Sequence, residues 1–130
     1  MPPRLVMSAT AALLGLAGLT LLFAPAWILS LYGVVLPPPE LVLAQLLGAA
    51  LLGNAIINWL GRQAVLGGIY GRPLMVGNLG HCLIAALVLL RAAMGGADRP
   101  AVWVTLGLYA VCAAGFATLL FRRPVTSAAT

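Results

Sequence analysis

The sequence predicts an all-α integral membrane protein, a four-helix up-down-up-down bundle in a single domain spanning residues 1–130. Three observations lead there. Of the 130 residues, 63% are hydrophobic and only 7% are charged, whereas soluble domains carry roughly a quarter charged residues. Four apolar runs, at about 5–24, 41–60, 74–94 and 101–121, are each long enough to cross a ~30 Å hydrocarbon core as a helix rising ~1.5 Å per residue. The runs are separated by proline, glycine, arginine and aromatic residues. A soluble domain of this size has too little interior to hide so much apolar surface, and the mean hydropathy of +1.11 agrees.

The first span, residues 5–24, has a small face: Ser8, Ala11, Ala12, Gly15 and Gly18 follow helical spacing. Small residues let a neighbouring helix approach closely, and in lipid such packing replaces the hydrophobic drive. A signal peptide is the rival reading, because Ala24-Pro25-Ala26 is similar to a small-x-small cleavage site. The apolar run exceeds the roughly 7–15 residues of a signal core, which favours a retained helix. A single helix through Tyr32 would be too long for the bilayer, so Pro25 is expected to end or kink it. Residues 26–32, with Trp27 and Tyr32, then form a short interfacial helix, at the depth where amphipathic rings prefer to sit.

Residues 34–40 form a turn in which Pro37-Pro38-Pro39 leads to Glu40 at the start of the second span, where a negative charge suits the helix dipole. In that span Gln45, Gly48, Ala49 and Leu52 share one face, and Asn54 and Asn58 lie on roughly the opposite one. Three amides in one span each require protein or water as a partner. Trp59 and Arg62 close the helix. Residues 62–73 read as a loop with Gly67, Gly68 and Gly71. Its glycines lack both phosphate-loop spacings, and no strand precedes them.

In the third span Asn78, His81, Cys82, Ala85 and Leu89 fall on one face by i, i+3, i+4 spacing, and Arg91 can snorkel to the surface. Residues 95–100 make a tight turn containing Asp98 and Arg99. In the fourth span Trp103 marks the outer end, and Thr105, Tyr109, Cys112, Ala113 and Phe116 share a face. Arg122 and Arg123 stop it, and the tail 124–130 is expected to be disordered.

The net charge of +5 comes from seven arginines, one Glu and one Asp, with no lysine. The arginines are scattered singly, which reads as topology markers and headgroup anchors (Arg62, Arg72, Arg122, Arg123) and not as a nucleic-acid surface. With four spans, one side collects Arg4, Arg62, Arg72, Arg122 and Arg123, and the other Arg91 and Arg99 with both acids. The positive-inside rule then places both termini in the cytoplasm. No internal repeat relates the two halves.

Little chemistry is available. No carboxylate sits mid-span, which argues against a proton-coupled carrier. A single histidine cannot supply bis-histidine haem ligation within one chain, and a metal site lacks ligands. Cys82 and Cys112 form no CxxC; pairing them as a disulfide requires the third and fourth spans to bring them together. His81 and Cys82 are adjacent on a helix and point about 100° apart, so they are no ready-made nucleophile pair. The residues suited to a site are an intramembrane polar cluster of Asn54, Asn58, Asn78, His81 and Tyr109, with Thr105 nearby, and no cofactor is indicated. His81 is expected either to hydrogen-bond within the bundle or to mark a functional site, because ionisable groups at membrane depth cost free energy.

The whole pattern resembles small bacterial four-helix integral membrane proteins of unknown function and is distantly similar to DoxX-like proteins. The residues that carry the likeness are Pro25 and Trp27, Leu31-Tyr32-Gly33, Ala44-Gln45-Leu46-Leu47-Gly48-Ala49, Asn58-Trp59-Leu60, Gly77-Asn78 and Trp103. The resemblance implies the four-helix fold and a bacterial inner (plasma) membrane, and it transfers no site. The functional expectation is a non-enzymatic accessory or scaffold subunit acting through helix–helix contacts, with membrane lipids, a second copy or a larger membrane complex as partners. The alternative is a binder or carrier of a small lipophilic molecule, such as a quinone, lipid or haem, near His81.

Overall fold

The computed structural model describes residues 2–63 and 71–121. The expected disordered tail, the Arg122-Arg123 pair and the centre of the 62–73 loop lie outside the described residues. Among the described residues there are five α-helices, α1 (Pro3–Phe23), α2 (Pro25–Leu31), α3 (Leu41–Gly61), α4 (Gly71–Met94) and α5 (Pro100–Phe121), with one 3-10 turn at Pro38–Glu40 before α3. Among the described residues there is no strand, and α1, α3, α4 and α5 are long and apolar enough to cross a membrane.

Local chemistry sets the helix ends. Pro3, Pro25 and Pro100 each open a helix at its first position, where the missing N–H would have had no intrahelical partner. Pro25 ends α1 by forcing Ala24 out of helical geometry, to φ −137° and ψ 53°. Two glycines close helices in the left-handed region, Gly33 at φ +73° and Gly96 at φ +98°. At each, the next N–H reaches back to the third-last helical carbonyl, Val34 to Leu29 at 3.0 Å and Ala97 to Ala92 at 3.1 Å. This is the closure that only a residue free of a Cβ adopts without strain.

The third span already includes Gly71, the first described residue of α4, three residues before the Leu74 expected from sequence. Pro73 lies within α4 near the start of its described part and does not delay the helix.

Side-chain register shows that neighbouring spans run antiparallel. Between α1 and α3 a methyl on Gly15 would meet Ala55, one on Gly18 would meet Gly48, and Gln45 bonds the Leu22 carbonyl. Between α5 and α1, Cys112 lies at Thr10 and Gly115 at Val6. Between α3 and α4, Asn58 meets Asn78 and Gly61 lies beside Leu74. The main interfaces are α1 with α3 and α4 with α5, and lighter contacts α3–α4 and α5–α1 close the ring.

Two apolar clusters fill the bundle. One joins Val6 and Met7 to Met75, Cys82, Ala113, Phe116 and Leu119. The other, between α1 and α3, joins Leu14 and Leu21 to Ala44, Leu51 and Ala55, and Tyr109 packs on both. Polarity is inverted relative to a soluble protein: Asn58 is 0% and Thr10 1% exposed, while Leu16, Leu43 and Leu60 are 69%, 68% and 73% exposed. The two faces read for α3 are part of one arrangement, because that helix touches two neighbours. Gly48 and Gln45 meet α1, and Asn58 meets α4.

Candidate functional site

Polar ties lie at interfaces between neighbouring spans. Gln45 Nε2 on α3 donates to the Leu22 carbonyl of α1 at 3.2 Å. Asn58 Nδ2 on α3 donates to Asn78 Oδ1 of α4 at 2.7 Å. Cys112 on α5 packs against the core cluster that contains Cys82 of α4. Thr10 Oγ1 on α1 donates to Cys112 Sγ on α5 at 3.7 Å. In a bilayer, hydrogen bonds between helices take the place of the hydrophobic drive that lipid removes.

The asparagines form the densest part. Besides Asn78, Asn58 Nδ2 donates to the Asn54 carbonyl at 3.0 Å and to Asn54 Oδ1 at 3.1 Å. Two N–H bonds therefore serve three acceptors, and one hydrogen is shared. Asn78 Nδ2 donates back to the Leu74 carbonyl one turn earlier, at 2.9 Å. Asn58 Oδ1 is buried and has no partner among the described residues. A buried acceptor left unpaired costs its desolvation, so the cluster is tightly but incompletely satisfied.

His81 lies one turn beyond Asn78 on α4 and meets Tyr109 of α5 edge to face, with ring centroids 5.6 Å apart and planes at 66°. Its Nε2 is buried and unpartnered among the described residues. The hydrogen bond expected for His81 is therefore replaced at Nε2 by ring packing. Of the five residues read as one cluster, the structure joins Asn54, Asn58 and Asn78 by hydrogen bonds, and His81 and Tyr109 by ring contact.

Thr105 belongs to a different place. It shares a 2.5 Å hydrogen bond with the Tyr32 hydroxyl, tying the end of α2 to α5. Beside it, Trp103 Nε1 donates to Asp98 at 3.1 Å, and the Arg99 guanidinium lies against Gly33. At the opposite end of the bundle the Arg62 guanidinium stacks 3.7 Å over the Trp59 ring and bonds its carbonyl. Arg72 is exposed near the start of the described part of α4. Arg122 and Arg123 fall outside the described residues.

An open apolar groove of about 210 Å³ runs along α1 and α3 past Ala11, Ala12, Ala55, Ile56 and Trp59. It is smaller than the roughly 300 Å³ at which ligand clefts begin, and it offers no convergent polar group. Among the described residues no three His, Cys, Asp or Glu side chains come together as a metal-ligand set.

Sequence reasoning missed Thr10 as a partner, and it left open whether the third and fourth spans bring Cys82 and Cys112 together. Cys82 and Cys112 fall at similar depths in adjacent antiparallel spans, and that depth was a usable signal. Comparison with protein-family models, curated proteins and solved structures finds no match to this chain.

Proposed function

We propose that the chain is a small multi-pass protein of a bacterial inner membrane, acting without catalysis as an accessory or scaffold subunit through lateral helix contacts. The observation that carries this reading is the way the interior polar groups are used. Asn58, 0% exposed, binds Asn54 and Asn78, so these amides are engaged with one another in fastening α3 to α4. The outward surface is apolar along every span, as lipid or another transmembrane helix requires. The five-to-two arginine asymmetry supports cytoplasmic termini, and the family resemblance supports the bacterial setting. Purification in a mild detergent followed by mass spectrometry tests the reading. A companion membrane protein, or a defined oligomer, is expected; a stable lone monomer overturns it.

A second reading has one specific support. The buried, unpartnered Nε2 of His81 beside Tyr109 is suited to a lipophilic molecule bearing one polar group, such as a quinone, a lipid or haem. Absorbance of the purified protein reads haem, and mass spectrometry of extracted lipids reads the others. A co-purifying molecule lost on His81→Gln supports this reading, and its retention removes His81 from it.

A further inference from the structure

We propose that Cys82 and Cys112 form a redox-active dithiol at membrane depth, which a lipophilic quinone oxidises to an intramolecular disulfide. The inference goes beyond the scaffold reading and does not depend on any ligand being held beside His81.

Four observations carry it. The chain has two cysteines, both free, and the fold brings them from different spans into one core cluster, which contains Cys82 and against which Cys112 packs. Both lie near the middle of their helices: Cys82 is the twelfth of 24 residues in α4, and Cys112 the thirteenth of 22 in α5. Cys82 is 1% exposed, whereas Cys112 is half-buried, so the pair lies at the edge of the core on the Cys112 side. Thr10 Oγ1 donates to Cys112 Sγ at 3.7 Å, which fixes that sulfur from a third span.

Depth selects the oxidant. A thiol about halfway along a membrane-length helix lies some 15 Å from either surface of a ~30 Å core. Charged, water-soluble disulfides and redox proteins do not reach it. A quinone dissolves at that depth and accepts two electrons. In the reaction two S–H bonds break and one S–S bond forms. The two electrons and two protons pass to the quinone oxygens, giving one hydroquinone.

The test uses the full chain, reduced, freed of reductant and placed in lipid nanodiscs containing a short-chain benzoquinone under argon. The expected result is one hydroquinone per chain, loss of two hydrogens in the intact mass, and a peptide pair linked through Cys82 and Cys112. Prior alkylation of Cys112 in the folded protein with a neutral, membrane-permeant maleimide, and Cys112→Ser, are each expected to abolish hydroquinone formation. If Cys112→Ser does not fold, the alkylated wild type provides the same control. Retention of both thiols in the presence of quinone overturns the proposal. So does a disulfide that a small diazene oxidant forms and quinone does not, or one that links two chains.

Discussion

Gly18 and Gly48 meet backbone to backbone. A methyl group on Gly18 would stand 2.7 Å from the Gly48 carbonyl oxygen, and one on Gly48 would stand 2.8 Å from the Gly18 carbonyl oxygen. The obstacles are backbone atoms on both sides, so no side chain can rotate away. Gly18→Ala and Gly48→Ala are each expected to destabilise the folded protein by about 1–3 kcal/mol, the usual cost of overpacking. Gly53 and Gly77 have open space where a methyl would go, so alanine there is expected to be neutral or mildly stabilising. Unfolding titrations of the four variants in the same detergent check the contrast. Equal effects at all four positions would show that glycine at 18 and 48 serves no close approach.

The helix spans were legible because each is an apolar run of membrane length and Pro25 marks the end of the first; the local geometry of Pro100, Gly33 and Gly96 then sets where the other helices open and close. Which face of a span meets which neighbour was less legible. In water the core-facing side of a helix is the apolar side, but in lipid both sides are apolar, and small residues can mark more than one contact. The asparagines were readable as partners in need of partners, and Asn58 with Asn78 fits that. The packing of Cys112 against the cluster that contains Cys82, and the placing of Thr105 on Tyr32, depend on the axial register of α5 against α4 and α2. Periodicity within one helix does not contain that register.

The Asn58–Asn78 bond is the polar tie at the light α3–α4 interface. A double-mutant cycle with Asn58→Ala and Asn78→Ala is expected to give a favourable coupling of about 0.6–1.7 kcal/mol, in the range of interhelical hydrogen bonds measured in lipid. Asn58→Ala alone should cost more than the coupling, because it also strips Asn54 Oδ1 of its donor. Steric-trap or denaturant unfolding of the four proteins of the cycle provides the measurement. A coupling of zero would mean that the two amides are satisfied separately.

Tyr32 and Thr105 fasten the short helix α2 to the start of α5 through one 2.5 Å hydrogen bond. Tyr32→Phe keeps the ring and removes the hydroxyl, so the expected loss is about 0.5–1.5 kcal/mol. The local readout should be larger than the global one: amide exchange across residues 25–34 is expected to rise, while that of α3 and α4 stays unchanged. Thr105→Val should reproduce the pattern, and the double variant should be no worse than either single one. Additive losses would place the two hydroxyls in separate interactions.

His81 and Tyr109 give the prediction that bears most directly on function. The histidine contributes a ring edge to Tyr109 and carries a buried Nε2 with no partner among the described residues. His81→Phe preserves an aromatic ring and removes the unpaired nitrogen. If the chain alone satisfies this site, the substitution should be neutral or stabilising by up to about 1 kcal/mol, because an unpaired buried polar atom is a cost. His81→Ala, which also removes the edge-to-face contact, should instead destabilise by at least the ~0.5–1.5 kcal/mol of an aromatic pair. The diagnostic quantity is therefore the sign for phenylalanine, measured once in detergent and once in native lipid extract. Stabilisation in both media assigns His81 to packing. Destabilisation by phenylalanine only in native lipid means that a molecule from the membrane supplies the missing partner to Nε2.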